Sequence, residues 1–380
     1  MNQAEEFFID LKEWSTRKLA IIEKYIKGFS IILGSKSKII YYIDGFAGRG
    51  QYEGGGKGSP VLAAEISEKF INNNKNFTLH CLNVENDHEN FKDLCVETDR
   101  FGKLVNNYEG SFEENIDVIL EKIKHHPAIF FIDDFGVKGT GWNSVEKVIA
   151  RKNPTDIWIR FDHKTVQRLI GFYNSDAKEA SGKINTLQNL FCINDRDELR
   201  ARLSTGENPE ERMQCAVNLY IECLEKTFNN HDKEGFAASY PIISIDGQNK
   251  YHLVFACSHN KAATLASNIV NIVEETYQHE KEKYRESKSG QMSLFTELTE
   301  KQIFYNKVND LKKSILNMQK NKHRTREELH YELMCQDKAW FGKIRGKHLT
   351  PAIRELLNEN PPRIKCIGTP GNDKSIIIIE

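Results

Sequence analysis

The chain has 380 residues, of which 39% are hydrophobic and 28% charged, and its formal net charge is -1. This length and apolar content are typical of a globular protein with two or three folding units. No apolar run is long enough to span a bilayer, and the N-terminus lacks a secretory pattern, so we expect a cytoplasmic protein without membrane contact. The near-neutral charge excludes a general attraction to nucleic acid, which would have to bind through local patches.

Short β-rich runs alternate with helical segments in the first part of the chain. Apolar residues at helical spacing predict one or two amphipathic helices over residues 5–33. Strands are predicted at residues 38–44, 77–85, 128–134 and 155–162, with a weaker one around 103–107. The segments between them are long enough for helices, for example residues 59–73 and 141–152. This alternation predicts an α/β fold with a doubly wound, mostly parallel sheet.

Two further strands predict how the sheet ends. Residues 240–246 and 250–258 are separated by only three residues, so they must form an antiparallel hairpin. A mostly parallel sheet with a terminal antiparallel hairpin is the layout of the Rossmann-like class I fold of S-adenosylmethionine (SAM)-dependent methyltransferases. A charged, helical insertion at about residues 163–236 precedes the hairpin and is expected to form a lid or a substrate-facing subdomain.

The C-terminal part has a different pattern. A predicted helix over residues 261–286 becomes highly charged and leads into a polar linker at residues 286–300. Three helices and a terminal hairpin follow in residues 301–380, which predicts a winged helix. We therefore divide the chain into a methyltransferase-like domain (1–285), the linker and a winged-helix domain.

A glycine-rich loop follows the first predicted strand, which ends at Asp44. Gly45, Gly48 and Gly50 permit a sharp turn and a close approach of backbone N–H groups to a ligand. A phosphate-binding P-loop is excluded because Lys57 is followed by glycine rather than Ser or Thr. A dinucleotide-binding loop spaces its glycines differently. A methyltransferase cofactor loop fits best, and a plain surface loop is the alternative.

Other residues are candidates for the same cofactor site. Glu85 ends the second predicted strand, where an acid can accept hydrogen bonds from the ribose hydroxyls of a nucleoside cofactor. A strand-terminal glutamate can also be merely solvated. Ser111 and Phe112 lie where such folds contact adenine, although a plain turn before a helix explains this segment equally well.

The fourth predicted strand ends in Asp133-Asp134-Phe135-Gly136. This sequence is similar to the D-P-P-Y-type motif of amino-group methyltransferases, in which an acid accepts a hydrogen bond from the target amino group and an aromatic ring stacks on the base. The alternative is that the two acids cap the next helix. Two adjacent carboxylates repel each other, so we expect one either to have a shifted pKa or to be neutralised by Lys138 or Lys57.

These motifs together resemble the three-Cys-motif partner (TcmP) family of bacterial class I methyltransferase-like proteins, over nearly the whole chain. The glycine loop is also similar to that of a bacterial ribosomal-RNA adenine-N6 methyltransferase family. The resemblance implies a SAM site and a reaction centre at Asp133 and Phe135, and it implies a three-Cys-motif protein, similar to radical-SAM enzymes, as a partner. The implied cofactor-site residues are Asp44, Phe46, Ala47, Gly48, Gly50, Tyr52 and Glu85. One departure is Asp134, which stands where the family has proline and puts catalytic competence in question.

We therefore expect a SAM-dependent methyltransferase that acts on a nucleic-acid amino group, with adenine N6 as the candidate acceptor. One alternative is a catalytically inactive protein of the same fold that recruits a protein or DNA through its winged helix and linker. Another is a methyltransferase for a small molecule or a protein. The eight cysteines lie outside any Cys-x-x-Cys or zinc-spaced pattern, so we predict reduced thiols and no metal site.

Two segments of the C-terminal part suggest partners. The peptide Gln291–Phe295, QMSLF, matches four of the five positions of the bacterial sliding-clamp-binding peptide. Its apolar residues could instead pack on the chain's own helices. Lys343, Arg345, Lys347 and His348 lie at the start of a predicted recognition helix and could neutralise phosphates. Winged helices of such modest charge also serve in protein contacts.

Overall fold

The computed structural model describes residues 13–52, 54–134, 136, 137, 139, 141–171, 178–245, 247–289 and 295–380. These residues form two compact units, and the chain passes from the first to the second between His259 and Asn260. Within this described part of the chain, no helix is long and apolar enough to cross a membrane.

The N-terminal unit is built on a seven-stranded sheet of order β3-β2-β1-β4-β5-β7-β6. The strands are β1 (Ile39–Asp44), β2 (Thr78–Glu85), β3 (Val105–Glu109), β4 (Ala128–Ile132), β5 (Thr155–Phe161), β6 (Phe236–Ile243) and β7 (Asn249–Cys257). The first five strands are parallel, and β7 is antiparallel to both β5 and β6. The predicted α/β fold with a terminal antiparallel hairpin is therefore confirmed. The third strand lies two residues later than predicted.

Helices cover both faces of this sheet. They are α1 (Glu13–Gly34), α2 (Ser59–Asn72), α3 (His88–Thr98), α4 (Phe112–Ile123) and α5 (Trp142–Ala150). Successive side chains of a strand point to opposite faces, so Trp158 and Phe161 of β5 pack on different layers. Tyr25 of α1 lies 5.2 Å from Trp158 by ring centroids, which fixes α1 on one face of the sheet.

The predicted insertion is helical and is part of the core on the other face. Its helices are α6 (His163–Ile170), α7 (Lys178–Phe191), α8 (Arg196–Leu203) and α9 (Pro209–Asn230). Phe161 of the sheet packs on Tyr220 of α9, with ring centroids 4.9 Å apart, and on Phe191 of α7 at 6.3 Å. The insertion therefore shares the hydrophobic core of the sheet.

The C-terminal unit contains four helices and a three-stranded antiparallel sheet of order β8-β10-β9. These elements are α10 (Asn260–Ser289), α11 (Phe295–Leu316), β8 (Arg324–Thr325), α12 (Arg326–Gln336), α13 (Gly346–Asn358), β9 (Ile364–Ile367) and β10 (Ile376–Ile379). Val308, Leu333 and Ile353 belong to a buried core shared by the last three helices and the sheet. The three helices and the terminal hairpin agree with the order of elements predicted from the sequence.

The structure differs from the sequence-based division at α10. We placed this helix with the methyltransferase-like domain, but it belongs to the compact C-terminal unit. Polar contacts explain why: the Gly342 N–H donates to Ser267 Oγ at 3.0 Å, and Asn271 Nδ2 donates to the Gly342 carbonyl at 3.2 Å. The helix continues to Ser289 and α11 begins at Phe295, so much of the predicted linker is helical. Residues 291–294 of the QMSLF peptide lie outside the described residues.

Candidate active site at the carboxyl edge of the sheet

The glycine loop and the Asp133 motif lie at one edge of the sheet, although 89 residues separate Asp44 from Asp133 in sequence. We call this the carboxyl edge, because β1, β2, β4 and β5 all end there. In a doubly wound sheet, ligands bind in the crevice where the strand order reverses, which here lies between β1 and β4. The Gly45 N–H donates to the Phe131 carbonyl at 2.9 Å, so the start of the loop is joined to β4.

Two glycines of the loop need the left-handed backbone conformation. Gly48 has φ of +62° and Gly50 has φ of +82°, which side chains rarely adopt. A Cβ atom on Gly48 would meet no heavy atom within 4 Å, so the loop faces open space at this residue. The Gly58 N–H donates to the Gly50 carbonyl at 2.8 Å and ties the loop to the start of α2.

Glu85 holds the loop from the end of β2. Its Oε2 accepts from the Gly48 N–H at 2.8 Å and its Oε1 accepts from the Asp87 N–H at 2.8 Å. A carboxylate has about four acceptor positions, so these two bonds leave capacity for a ligand. Glu85 is half-buried, and the structure brings it next to the loop as expected from the sequence.

Asp44 lies beneath the loop and is fully buried. Its carboxylate accepts from Tyr42 Oη at 3.1 Å and from the Phe46 N–H at 3.2 Å. Burial raises the pKa of Asp44 to about 6, although a hydrogen bond from Ser59 opposes this shift; the nearby Asp133 raises it further. Asp44 therefore organises the loop from the inside.

The remaining loop residues differ in exposure. Ala47 is buried, and its N–H donates to the Val84 carbonyl at 2.9 Å. Phe46 packs against Phe112, with ring centroids 6.3 Å apart. Tyr52 is exposed and borders an open cleft of about 310 Å³ between the loop and α3, which is lined by Arg49, Gln51, Tyr52, Asp93, Val96 and Glu97.

Ser111 and Phe112 have structural partners. Ser111 is the N-cap of α4: its hydroxyl accepts from the Glu114 N–H, and the Glu114 side chain accepts from the Ser111 N–H, which completes a capping box. Phe112 is 1% exposed and would be 3.0 Å from a Cβ atom on Gly45. These contacts support the turn-and-helix interpretation of this segment.

Asp133 is buried and forms an ion pair with Lys18 of α1 through its Oδ2. The Arg160 Nε atom lies 3.9 Å from the other oxygen, Oδ1. Oδ1 is buried and has no hydrogen-bond partner within the described part of the chain. Burial would lower the pKa of Lys18, but Asp133, with smaller contributions from Tyr251 and Tyr52, raises it overall, so the ammonium stays charged.

The second acid of the motif is turned toward the loop that follows β4. Asp134 Oδ2 accepts from the Gly139 N–H at 2.8 Å, and the Asp134 carbonyl accepts from Arg160 Nη1 at 3.0 Å. Burial raises the pKa of Asp134. Phe135 and Lys138 lie outside the described residues. Lys57 pairs with Glu65 at 2.8 Å, so the expected neutralisation of the acids by Lys57 is wrong; Lys18 neutralises Asp133 instead.

Sequence reasoning missed Lys18, Arg160 and Tyr251. The Arg160 guanidinium lies 4.9 Å from the ring centroid of Tyr251, and Tyr251 Oη donates to the Trp14 carbonyl at 3.2 Å. Burial raises the pKa of Tyr251 to about 12. Arg160 could have been found from the sequence, since it is the one basic residue within the apolar strand β5. No sequence pattern indicated Lys18, because the position of α1 against β4 depends on tertiary packing.

The residues described carry no group of three or more His, Cys, Asp or Glu side chains arranged to hold a metal ion. All eight cysteines are free thiols.

No model of a known protein family matches the chain, and no curated protein matches it. Among solved structures, it is similar to an O-methyltransferase from Bacillus cereus in complex with SAH, at 13% identity and a TM-score of 0.33, over 62% of this chain and 80% of the other. It is also similar to the O-methyltransferase TomG from Streptomyces achromogenes, in complex with SAM, at 10% identity and a TM-score of 0.33, over 62% and 79%. Likenesses this distant carry no information about substrate or reaction.

Proposed function

We propose that the N-terminal unit binds SAM at the glycine loop and transfers its methyl group to an amino group of a nucleic acid, with adenine N6 as the candidate acceptor. The observation that carries this proposal is the meeting of two motifs at the β1/β4 crevice. The glycine loop lies on one side and the Asp133 carboxylate on the other. Ligands of doubly wound sheets bind in this crevice.

The residues at the loop fit this cofactor. Gly48 faces open space, which permits close approach of a ligand to the backbone. The free acceptor positions of Glu85 match a pair of ribose hydroxyls. Bound there, SAM would supply an electrophilic methyl group on a positively charged sulfonium. The carboxylates of Asp44 and Glu85, which end β1 and β2 at this edge, favour a cationic ligand.

On the acceptor side, one carboxylate oxygen of Asp133 is hydrogen-bonded, and the other, which Arg160 Nε approaches to 3.9 Å, is not hydrogen-bonded in the part of the chain that the structure describes. Lys18 holds Oδ2, and Oδ1 lacks a hydrogen-bond partner within the described residues. A buried acceptor without a donor costs free energy that an incoming N–H group can recover. Oδ1 would accept a hydrogen bond from the target amino group and would stabilise the positive charge that develops on the nitrogen.

The test is calorimetric titration of the purified protein with SAM. The wild type should bind, and Glu85→Gln should bind about 10- to 100-fold more weakly, because hydrogen bonds to a charged group contribute about 1.5–3 kcal/mol. The matched control is Glu109→Gln. Glu109 ends the adjacent strand β3, is paired in register with Glu85, and contacts His88 instead of the loop. A folded wild type that does not bind SAM would overturn the proposal, and so would equal binding by both variants.

A second candidate function is supported by the Lys18–Asp133 ion pair. An acid already neutralised by a buried ammonium is a weaker acceptor for a target amino group, and Asp134 stands in place of the family's proline. Both features favour a non-catalytic protein that recruits partners, for which a three-Cys-motif protein and a sliding clamp are candidates.

Transfer of labelled methyl groups to adenine-containing DNA or RNA decides between the enzyme and the recruiting protein. Transfer by the wild type that Asp133→Asn abolishes, with SAM binding retained, supports the enzyme. SAM binding without transfer to any acceptor supports the recruiting protein.

A further inference from the structure

Four basic side chains gather on one surface of the C-terminal unit. Lys307 lies on α11, Lys343 and Arg345 precede α13, and Lys347 lies in its first turn. Arg345 and Lys347 both pair with Glu275 of α10, the second through Lys347 Nζ and Glu275 Oε1 at 2.7 Å. We call these four residues the basic cluster.

Lys307 belongs to the basic cluster although sequence gave no sign of it. Its pKa is lowered, first by its burial and then by the charges of Lys347 and Lys343, while Glu275 and Glu274 oppose the shift. Lysines influence one another in this way only when they are close. Four positive charges thus face two carboxylates, which leaves an excess of positive charge.

His348 does not contribute a charge, contrary to the expectation from sequence. It is 2% exposed, and burial lowers its pKa to about 4, so the ring is neutral at physiological pH. Its Nδ1 accepts from the Arg345 N–H at 3.2 Å, which makes His348 part of the cap of α13. Arg345 is also held by Asn271, whose Oδ1 accepts from Nε at 3.0 Å.

Glu275 pairs with two members of the basic cluster. The Glu275 charge also acts on Lys307, whose pKa it raises against the lowering effect of burial. The Glu275 side chain is 30% exposed, so an external anion can reach the cations it contacts. Within the described residues, Lys307 and Lys343 form no ion pair, so they remain available to a second anion.

We propose that the basic cluster binds the backbone phosphates of a nucleic acid, and that Glu275 competes with those phosphates for Arg345 and Lys347. The choice of nucleic acid rests on the proposed function. It is also favoured by the placement of the cluster at the N-terminal end of α13, the second of two helices connected by residues 337–345. Proteins that bind DNA through two such successive helices contact it with the N-terminal end of the second helix. Lysine and arginine provide the charge-assisted hydrogen bonds that phosphate oxygens accept.

The test compares substitutions that remove a positive charge with one that removes a negative charge, because the two kinds should change nucleic-acid binding in opposite directions. Anisotropy of a labelled DNA duplex of about 20 base pairs, two helical turns, is measured with the full chain and without SAM, between about 50 and 200 mM salt. Lys307→Gln and Lys343→Gln should each weaken binding and reduce the salt slope by about 1. Glu275→Gln should tighten binding several-fold, because it removes the internal competitor. Lys313→Gln is the matched control, since Lys313 lies on the same helix and pairs with Asp310.

The outcomes separate this inference from the proposed function. Weaker binding by Glu275→Gln, or equal binding by all variants and the control, would overturn it. The same ranking of variants on single-stranded RNA but not on duplex DNA would support the phosphate surface and identify RNA as its source. Failure of both nucleic acids to bind would overturn this inference and would also contradict a nucleic-acid acceptor, whereas equal binding by all variants together with methyl transfer to a nucleic acid would overturn this inference alone.

Discussion

The carboxyl edge of the seven-stranded sheet and the surface around Glu275 both bring a carboxylate next to a lysine, but the two regions differ in exposure. The Lys18 and Asp133 side chains are 5% and 9% exposed, whereas Lys347 and Glu275 are 43% and 30% exposed. A buried pair has lost its water, so removing one partner leaves a costly isolated charge. A hydrated pair loses little when broken, and its partners can be exchanged for external ions. The first pair therefore suits a fixed site and the second suits reversible binding.

The largest effect is expected from breaking the buried pair. Lys18→Met should lower the free energy of unfolding of the N-terminal unit by about 3–5 kcal/mol, because the Asp133 carboxylate stays buried without its ammonium partner. Chemical denaturation followed by tryptophan fluorescence measures this, since the buried Trp142 and Trp158 lie in the same unit. The matched control is the double variant Lys18→Met/Asp133→Leu, which removes both charges and should be more stable than Lys18→Met. If Lys18→Met is as stable as the wild type, the buried pair contributes as little to stability as the surface pair, and the contrast between the two is wrong.

Asp156 extends the comparison to a buried carboxylate with a neutral partner. It accepts from Tyr25 Oη at 2.7 Å, and burial raises its pKa to about 7, although this hydrogen bond opposes the shift. The native state therefore holds the proton more tightly than the unfolded chain, whose Asp pKa is about 3.9. The contribution of Asp156 to stability is greatest below about pH 4 and falls, by on the order of a few kcal/mol, as the pH rises to about 7.

Denaturation of Asp156→Asn and the wild type across this pH range checks the prediction. The stability of the variant relative to the wild type should increase from about pH 4 to about pH 7 and be constant above that. Tyr25→Phe should shift the window to higher pH, because it removes the hydrogen bond that lowers the Asp156 pKa. Parallel pH profiles for Asp156→Asn and the wild type would contradict the raised pKa.

The smallest effect is expected at the surface pair. Lys347→Gln should change the free energy of unfolding by no more than about 1 kcal/mol, because exposed ion pairs contribute little and salt screens them. Nucleic-acid binding should nevertheless weaken, as for the other members of the basic cluster. Denaturation and anisotropy on the same preparation test both statements. Strong destabilisation with unchanged binding would make Lys347 a structural residue.

The sequence predicted well which strand-terminal residues lie together. The carboxyl ends of parallel strands lie at one edge of the sheet, and this does not depend on how the helices pack. Asp44 and Glu85 end predicted strands, Asp133 is the second-last residue of a third, and all three lie at the carboxyl edge. The terminal hairpin could also be predicted from neighbouring residues alone, since a connection of three residues between two strands permits only an antiparallel pair. At Ser111, sequence left an adenine contact and a turn open, and the capping box with Glu114 now accounts for its hydroxyl.

The sequence by itself determined the fold class, the glycine loop and the order of elements in both units, because periodicity, turn residues and short connections act over a few neighbouring residues. Only the tertiary structure decided that Lys18 neutralises Asp133, that α10 belongs to the C-terminal unit, and that Glu275 lies among the basic cluster. The Lys18–Asp133, Arg345–Glu275 and Asn271–Gly342 contacts that show this each join residues 70 or more positions apart. Such pairings depend on which helix faces pack together, and no local pattern encodes that choice.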